Sequence, residues 1–321
     1  MELHELLERV EVIGIPTRTN IRGVSVREIV LIKGEKQWGE FSPFADYSVE
    51  RDALWLQSAL ESANQSFPPP FRERVLVNAT LPEVPIHQVS EVLSWFPGST
   101  TVKVKVGTAD DIERIKEVFR VIPDALLRLD ANGVFTIAEA DEFFTSLYNQ
   151  YGHQIEYVEQ PCATLAENAA LSLPVPIAID ENLRHGGDIS EINKVADRII
   201  VKVAPLGGIK RALKIINQSD KPVVISSAFE SSVGLAAGIA LAAHLPDDAI
   251  CGLGTIALLK SDVVKNSLRP QDGSVAITNI IIDLDLIARY RLSQERSLWW
   301  HNRIAQAYEK YRVNSESGEW Q

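Results

Sequence analysis

Among the charged side chains that stand within or directly after short apolar runs in this 321-residue sequence, six could do chemistry together. Asp130 follows Leu126-Leu127-Arg128-Leu129, Glu159 follows Ile155-Glu156-Tyr157-Val158, and Asp180 follows Ile177-Ala178-Ile179. Lys202 follows Ile199-Ile200-Val201, while Lys103 and Lys105 alternate with β-branched residues in Thr101-Val102-Lys103-Val104-Lys105-Val106. Each run reads as a strand, with Lys103 and Lys105 on one face. A single carboxylate after a strand has an ordinary use as a helix N-cap. A lysine pair on an edge strand is likewise an ordinary guard against edge-to-edge association. Three carboxylates ending three successive strands are harder to explain that way, because their mutual repulsion is unfavourable without a cation. Lacking histidine or cysteine companions, they form an all-oxygen donor set that suits Mg²⁺ better than zinc, with Mn²⁺ as a chemical substitute.

Lysines facing a metal-bound substrate suit removal of a proton α to a carboxylate. Negative charge develops on that carboxylate in the transition state, and a divalent cation stabilises it. A lysine with an ordinary pKa of about 10.4 must first lose its own proton to act as base. A neighbouring ammonium group favours that loss, so the crowding of Lys103 against Lys105 becomes useful. Lys105, nearer the strand's C-terminal end, is the expected base. Lys103, one layer deeper, is expected to tune it, and Lys202 faces the substrate from the other side.

The elements that would position these groups recur with a period. Apolar runs at Val75–Ala79, Val102–Val106, Ala125–Leu129, Ile155–Val158, Ile177–Ile179, Ile199–Val203, Val223–Ile225 and Ala249–Leu253 alternate with amphipathic pieces such as Asp110–Val121, Thr136–Tyr148 and Ile209–Ser219. Runs spaced roughly 20–30 residues apart and apolar on both faces imply repeated β-α units around a parallel sheet. Eight of them imply an α/β fold of the (β/α)8-barrel type, whose strand C-termini form the catalytic rim. A doubly wound open sheet is the alternative, but no G-x-G-x-x-G supports it. In a closed barrel the second strand has no free edge, which removes the edge-guard explanation of the lysine pair.

Ahead of the periodic region, Val10–Pro16, Arg27–Lys33 and Gln37–Phe41 read as strands, and Ser48–Ser62 as a helix. The polar stretch Thr17–Gly23 reads as a loop, and with Phe44–Tyr47 it is a candidate for substrate contact. Phe67-Pro68-Pro69-Pro70 marks a boundary. The expected division is an α+β capping domain at 1–72, the barrel at 73–275, and a segment at 276–321, helical from Leu286, that packs back on the cap.

Composition narrows the class. A net charge of -11 argues against a nucleic-acid partner but not against a small anionic substrate. Cys162 and Cys251 form no C-x-x-C pair, so neither a disulfide framework nor structural zinc is expected. With no signal-type N-terminus and no apolar run of about 18 residues, a cytoplasmic enzyme without a membrane span is expected.

The pieces Lys103-x-Lys105, Asp130-x-Asn132, Glu159-Gln160-Pro161, Asp180-Glu181 and Lys202 occur in an order that resembles the enolase superfamily, in its muconate-lactonizing-like branch. The resemblance covers nearly the whole chain. It implies a capped, modified TIM barrel in which Asp130, Glu159 and Asp180 ligate Mg²⁺. Lys105 and Lys202 would be catalytic, with Lys103, Asn132 and Arg128 supporting. Within the branch the wording is most similar to dehydratases of the actinobacterial type that form 2-succinylbenzoate in menaquinone biosynthesis. The phrases that carry this are Trp38-Gly39-Glu40-Phe41-Ser42-Pro43, Leu127-Arg128-Leu129-Asp130-Ala131-Asn132 and the serine-rich stretch Ser226 to Leu235. A dicarboxylate substrate then needs a second anion site, for which Ser226, Ser227, Glu230, Ser231 and Gly252 are the candidates and Arg128 a further one. An N-acylamino-acid racemase of the same branch is the rival, and a barrel that binds a metal and ligand without catalysis is the non-enzymatic alternative.

Overall fold

A computed structural model describes residues 2–317. Met1 and the last four residues of the tail read as helical, 318–321, lie outside the described residues.

The capping sheet is antiparallel, in the order β1 (Val10–Ile21), β2 (Val24–Lys33), β3 (Trp38–Phe41). The stretch read as a loop is mostly strand. β1 runs on to Ile21 and turns through Arg22-Gly23, with φ of 54° and 80° and Ile21 paired to Val24. Two left-handed residues make the tight hairpin turn that matches the twist of the strands, so a two-residue connection suffices. The helix Val49–Asn64 follows, burying Trp55, Leu56 and Ala59 against this sheet.

The barrel contains β5 (Ala79–Leu81), β6 (Thr101–Lys105), β7 (Leu126–Asp130), β8 (Ile155–Glu159), β9 (Ile177–Ile179), β10 (Arg198–Lys202) and β11 (Val223–Ser226), which are parallel and paired in sequence order. The expected first and eighth strands take different forms. Val75–Ala79 is divided: β4 (Arg74–Leu76) pairs antiparallel with β12 (Ser274–Ala276), and the barrel strand begins at Ala79. Ala249–Leu253 is reduced to two parallel bridges, Val77 with Cys251 and Ser226 with Gly252, which join the sheet's two edges. Gly252 allows that junction, because a Cβ there would lie 2.4 Å from Ser226 Oγ. Closure therefore holds without a regular eighth strand.

The C-terminal helices Leu284–Tyr290 and Gln294–Ser317 complete the cap. Trp300 is buried edge-on against Phe41 and donates to Glu28 at 2.7 Å, whereas Trp299 is partly exposed under the Arg296 guanidinium. Arg303 forms a buried fork with Asp52 and donates to the Phe44 carbonyl at 2.7 Å. A distant helix thus fixes the 44–47 loop, which reaches the cavity described next. No helix among the described residues is long and apolar enough to cross a membrane.

Candidate active site

Strand register assembles the site. In β6 and β7, Lys103 pairs with Arg128 and Lys105 with Asp130, and Asp130 pairs in turn with Glu159 of β8. Glu159 is level with Ala178 of β9, so Asp180 follows two positions further along. Strands repeat with a period of two, so Lys103 and Lys105 share the inward face. The resulting cavity has a volume of about 280 Å³ and is lined by Lys103, Lys105, Asp130, Asn132, Lys202, Ser226, Ser227 and Gly252, with Phe44, Tyr47 and Arg22 contributed by the cap.

Ammonium and carboxylate groups interlock. Lys103 Nζ lies 2.7 Å from both Asp130 Oδ2 and Glu159 Oε1, Lys105 Nζ 2.6 Å from Asp130 Oδ2, and Lys202 Nζ 2.6 Å from Asp180 Oδ2. Lys105 also donates to Asn132 Oδ1, whose amide donates to Glu181 at 2.9 Å. Burial opposes ionisation of Asp130, but three surrounding lysines hold its carboxyl far below the usual range. Asp180 is likewise buried, yet Lys202 and Arg184 hold it down to about 2. Glu159 goes the other way, to about 7, through burial and the negative charge of Asp130. One ammonium, that of Lys103, serves two carboxylates there, at 2.7 Å from each. Lys105 is lowered by burial, with Lys103 repulsion adding to the effect and Asp130 attraction opposing it. Burial also opposes the charged form of Lys103, but Asp130 and Glu159 outweigh it and raise it well above the ordinary value.

The donor set fits a hard cation. Glu159 Oε2 and Asp180 Oδ1 are buried without a hydrogen-bond partner among the described residues, Arg184 Nε standing 3.4 Å from the latter. Orphaned anionic oxygens in a low-dielectric rim are costly unless something positive joins them. Among the described residues no three His, Cys, Asp or Glu groups already converge as a cage, and the lysine ammonium groups sit on these same carboxylates.

Three residues named from sequence fall elsewhere. Arg128 is buried below the rim, held by Glu156 at 2.6 Å, Asn78 at 3.1 Å and the Ile250 carbonyl at 3.0 Å, and it packs over the Tyr157 ring. It is satisfied there and does not line the cavity. Ser231 and Glu230 are also buried away from the cavity lining, beside Glu40 of the cap. Sequence reading in turn passed over Arg184, which lines the cavity, pairs with Glu181 at 2.6 Å and donates to the Tyr47 hydroxyl at 3.0 Å. Its one local signal is its place four residues after Asp180, one helical turn on. Gln160 was quoted only for its motif. Its side chain accepts from the Asp180 and Asn182 amides and donates to the Cys162 carbonyl and Asn182, locking the backbone that carries Asp180.

Glu230 carries a pH prediction. Burial, then the Glu40 charge, raise its carboxyl from 4.5 to about 7. A raised carboxyl binds its proton more tightly in the folded state. Its stabilising contribution is therefore complete below pH 4.5 and is lost as pH rises to about 7. Glu230→Gln, neutral at every pH, is expected to gain on the parent across that window by on the order of 3 kcal/mol. Urea unfolding at pH 4.5 and 8 measures this, and equal differences at the two pH values would contradict the assignment.

Comparison with known proteins extends the geometry. Residues 90–280 match the family model described as enolase C-terminal domain-like, and residues 12–63 the one described as enolase N-terminal domain-like. The chain is 42% identical over 312 residues to o-succinylbenzoate synthase of Mycolicibacterium smegmatis, covering 94% of this chain and 96% of that protein. It is 42% identical over 316 residues to o-succinylbenzoate synthase of Mycobacterium tuberculosis, covering 95% of each. Among solved structures, the muconate lactonizing enzyme of Pseudomonas fluorescens complexed with muconolactone superposes with a TM-score of 0.74 at 18% identity, covering 88% of this chain and 98% of that one. The N-succinyl Arg/Lys racemase of Bacillus cereus superposes with a TM-score of 0.73 at 19% identity, covering 89% and 97%. Such structural likeness bears on the fold alone.

Proposed function

The chain belongs to the enolase superfamily and, within it, to the o-succinylbenzoate synthase family, and on that premise we propose that it dehydrates 2-succinyl-6-hydroxy-2,4-cyclohexadiene-1-carboxylate to 2-succinylbenzoate in menaquinone biosynthesis. The observation that supports the reading is the ion-pair network in which Lys103, Lys105, Lys202 and Asp130, all lining the cavity, meet Glu159 and Asp180 buried behind them. Hydro-lyase chemistry of this kind needs a base for the α-proton, an acid for the departing hydroxyl, and positive charge at the substrate carboxylate.

Each need has a residue. Neutral Lys105 takes the α-proton, and the resulting ammonium returns that proton to the C6 hydroxyl, which leaves as water from the same face. The electron pair of the broken C–H bond completes the aromatic ring, so the product side is downhill. Lys202, across the cavity, faces the carboxylate where charge develops and stabilises it electrostatically. Lys103 stays protonated between Asp130 and Glu159 and keeps Lys105 inclined to be neutral. Asn132 orients Lys105 through its amide oxygen.

Enzymes of this superfamily in general pair a lysine or histidine base with a divalent cation, typically Mg²⁺. Asp130, Glu159 and Asp180 would hold Mg²⁺ here, and the ion would supply charge neutralisation at the substrate carboxylate. Ser226, Ser227 and Gly252 offer hydroxyl and backbone groups for the succinyl carboxylate. The proposed division of the chain is cap 1–72, barrel 73–275 and returning segment 276–321.

A side-by-side steady-state assay with the cyclohexadiene substrate and an N-succinyl amino acid tests the reading. The expected result is a kcat/KM at least about tenfold higher for the first, a difference of about 1.4 kcal/mol in transition-state binding. A higher value for the second would move the assignment to the racemase.

A further inference from the structure

We propose that Arg27 and Glu40 of the capping sheet are positioning residues for the substrate cavity, acting through the turn Ala228–Ser231 and the Phe229 wall that this turn presents. The inference rests on reading the cavity as the dehydration site.

Phe229 is a bulky residue with φ of 70°, in the left-handed region, and with Ala228 it lines the cavity. A side chain of that size does not hold such a backbone unaided. Two other left-handed residues on the rim, Asn132 and Gln160, are secured by groups of the barrel itself, namely Lys105 and Glu181 for one and Cys162 and Asn182 for the other. Phe229 differs, because apart from one bond inside the turn, from the Ala228 amide to Glu230 at 2.7 Å, the groups holding it come from the cap. Arg27 Nε donates to the Phe229 carbonyl at 2.8 Å, and its Nη2 reaches the Ala228 carbonyl at 3.5 Å and also the Ser42 carbonyl. The guanidinium lies over the Phe44 ring, 4.5 Å from its centre, and Phe44 is a cavity wall too.

Glu40 grips the same turn from its other end. Its carboxylate accepts from the Ser231 amide at 3.1 Å and the Gly234 amide at 3.0 Å, as well as from the Ser231 hydroxyl. These groups open the helix Ser232–Ala242, whose unpaired amides favour an anion. The approach requires glycine at 234, since a Cβ there would stand 2.9 Å from Glu40 Cδ and 2.6 Å from Glu230 Cβ. One cation on the carbonyls and one anion on the amides fix the peptide groups on both sides of Phe229. Neither lines the cavity. Their influence on substrate therefore passes through the shape of the wall and falls on binding rather than on proton transfer.

The test is a double-mutant cycle between Arg27→Lys and Phe229→Ala, with hydrogen exchange of the 228–231 amides measured on each protein. Lysine keeps the charge and loses the planar fork that spans two carbonyls. Arg27→Lys is expected to raise KM about tenfold with kcat within about threefold of the parent. The double variant is expected to show no higher KM than Phe229→Ala alone, because both changes act on one wall. Exchange at 228–231 is expected to accelerate while the barrel strands stay protected. Multiplying KM effects, a fall in kcat at constant KM, or unchanged exchange would each overturn the proposal. Should Arg27→Lys fail to fold, Glu40→Gln, nearly isosteric, is expected to give the same KM-only change and the same local exchange, and overturns the idea if it does not. If the parent enzyme itself fails to turn over the cyclohexadiene substrate, the functional reading falls, and exchange at 228–231 still decides whether the clamp exists.

Discussion

Lys105→Ala is expected to lower kcat for dehydration by about 10³- to 10⁴-fold, the usual worth of a positioned general base, with the fold retained. The fold should survive because Asp130 keeps its contact with Lys103 at 2.7 Å. Loss of Lys105 then leaves no uncompensated buried charge, which is the usual reason such deletions unfold a protein. The base role follows from environment. Lys105 and Lys103 share a strand face and a carboxylate, yet burial and repulsion lower Lys105, whereas Asp130 and Glu159 raise Lys103. The more easily neutralised amine is also the more open, with 27% of its side chain exposed against 9% for Lys103. Rapid-quench measurement of α-proton exchange into deuterated solvent, beside circular dichroism, checks the outcome. Turnover within tenfold of the parent would remove Lys105 from the chemistry and shift attention to Lys202.

The placement of the six charged groups is legible in the sequence, and the reason is local. A charged residue that ends an apolar run announces a strand end, and repeated β-α units place successive ends on one rim. What remained hidden depends on partners distant in sequence. Strand parity gives the face of Arg128 but not its layer, and Glu156 and Asn78 draw it below the rim. Ser231 looked available because its partner, Glu40, is 191 residues away on the cap. The same holds for the 44–47 loop, pinned by Arg303 from the C-terminal helix. The eighth strand was misjudged for a different reason. Cys251-Gly252 has the apolar texture of a strand, but closure there is made by single bridges around a glycine.

Removal of divalent metal is the second change expected to have a very large effect: chelation should abolish dehydration, and added Mg²⁺ should restore it. Three buried carboxylates stand at the ends of adjacent strands, two of their oxygens lack a hydrogen-bond partner among the described residues, and three ammonium groups crowd around the rest. In that balance each lysine is committed to a carboxylate rather than to substrate. A dication held by Asp130, Glu159 and Asp180 would compete for the same oxygens and free Lys105 and Lys202 to face the cavity. The orphaned oxygens would gain a partner at the same time. Binding to the folded state alone also raises its stability by mass action, about 2.7 kcal/mol when the ion is present at 100 times its dissociation constant. Thermal unfolding with and without Mg²⁺ thus provides a readout independent of turnover. Restoration by Mg²⁺ and by Mn²⁺ is expected, since both accept oxygen donors in octahedral sites. A requirement for zinc would contradict a donor set without nitrogen or sulfur, and full activity in chelator would show that the lysines alone neutralise the developing charge.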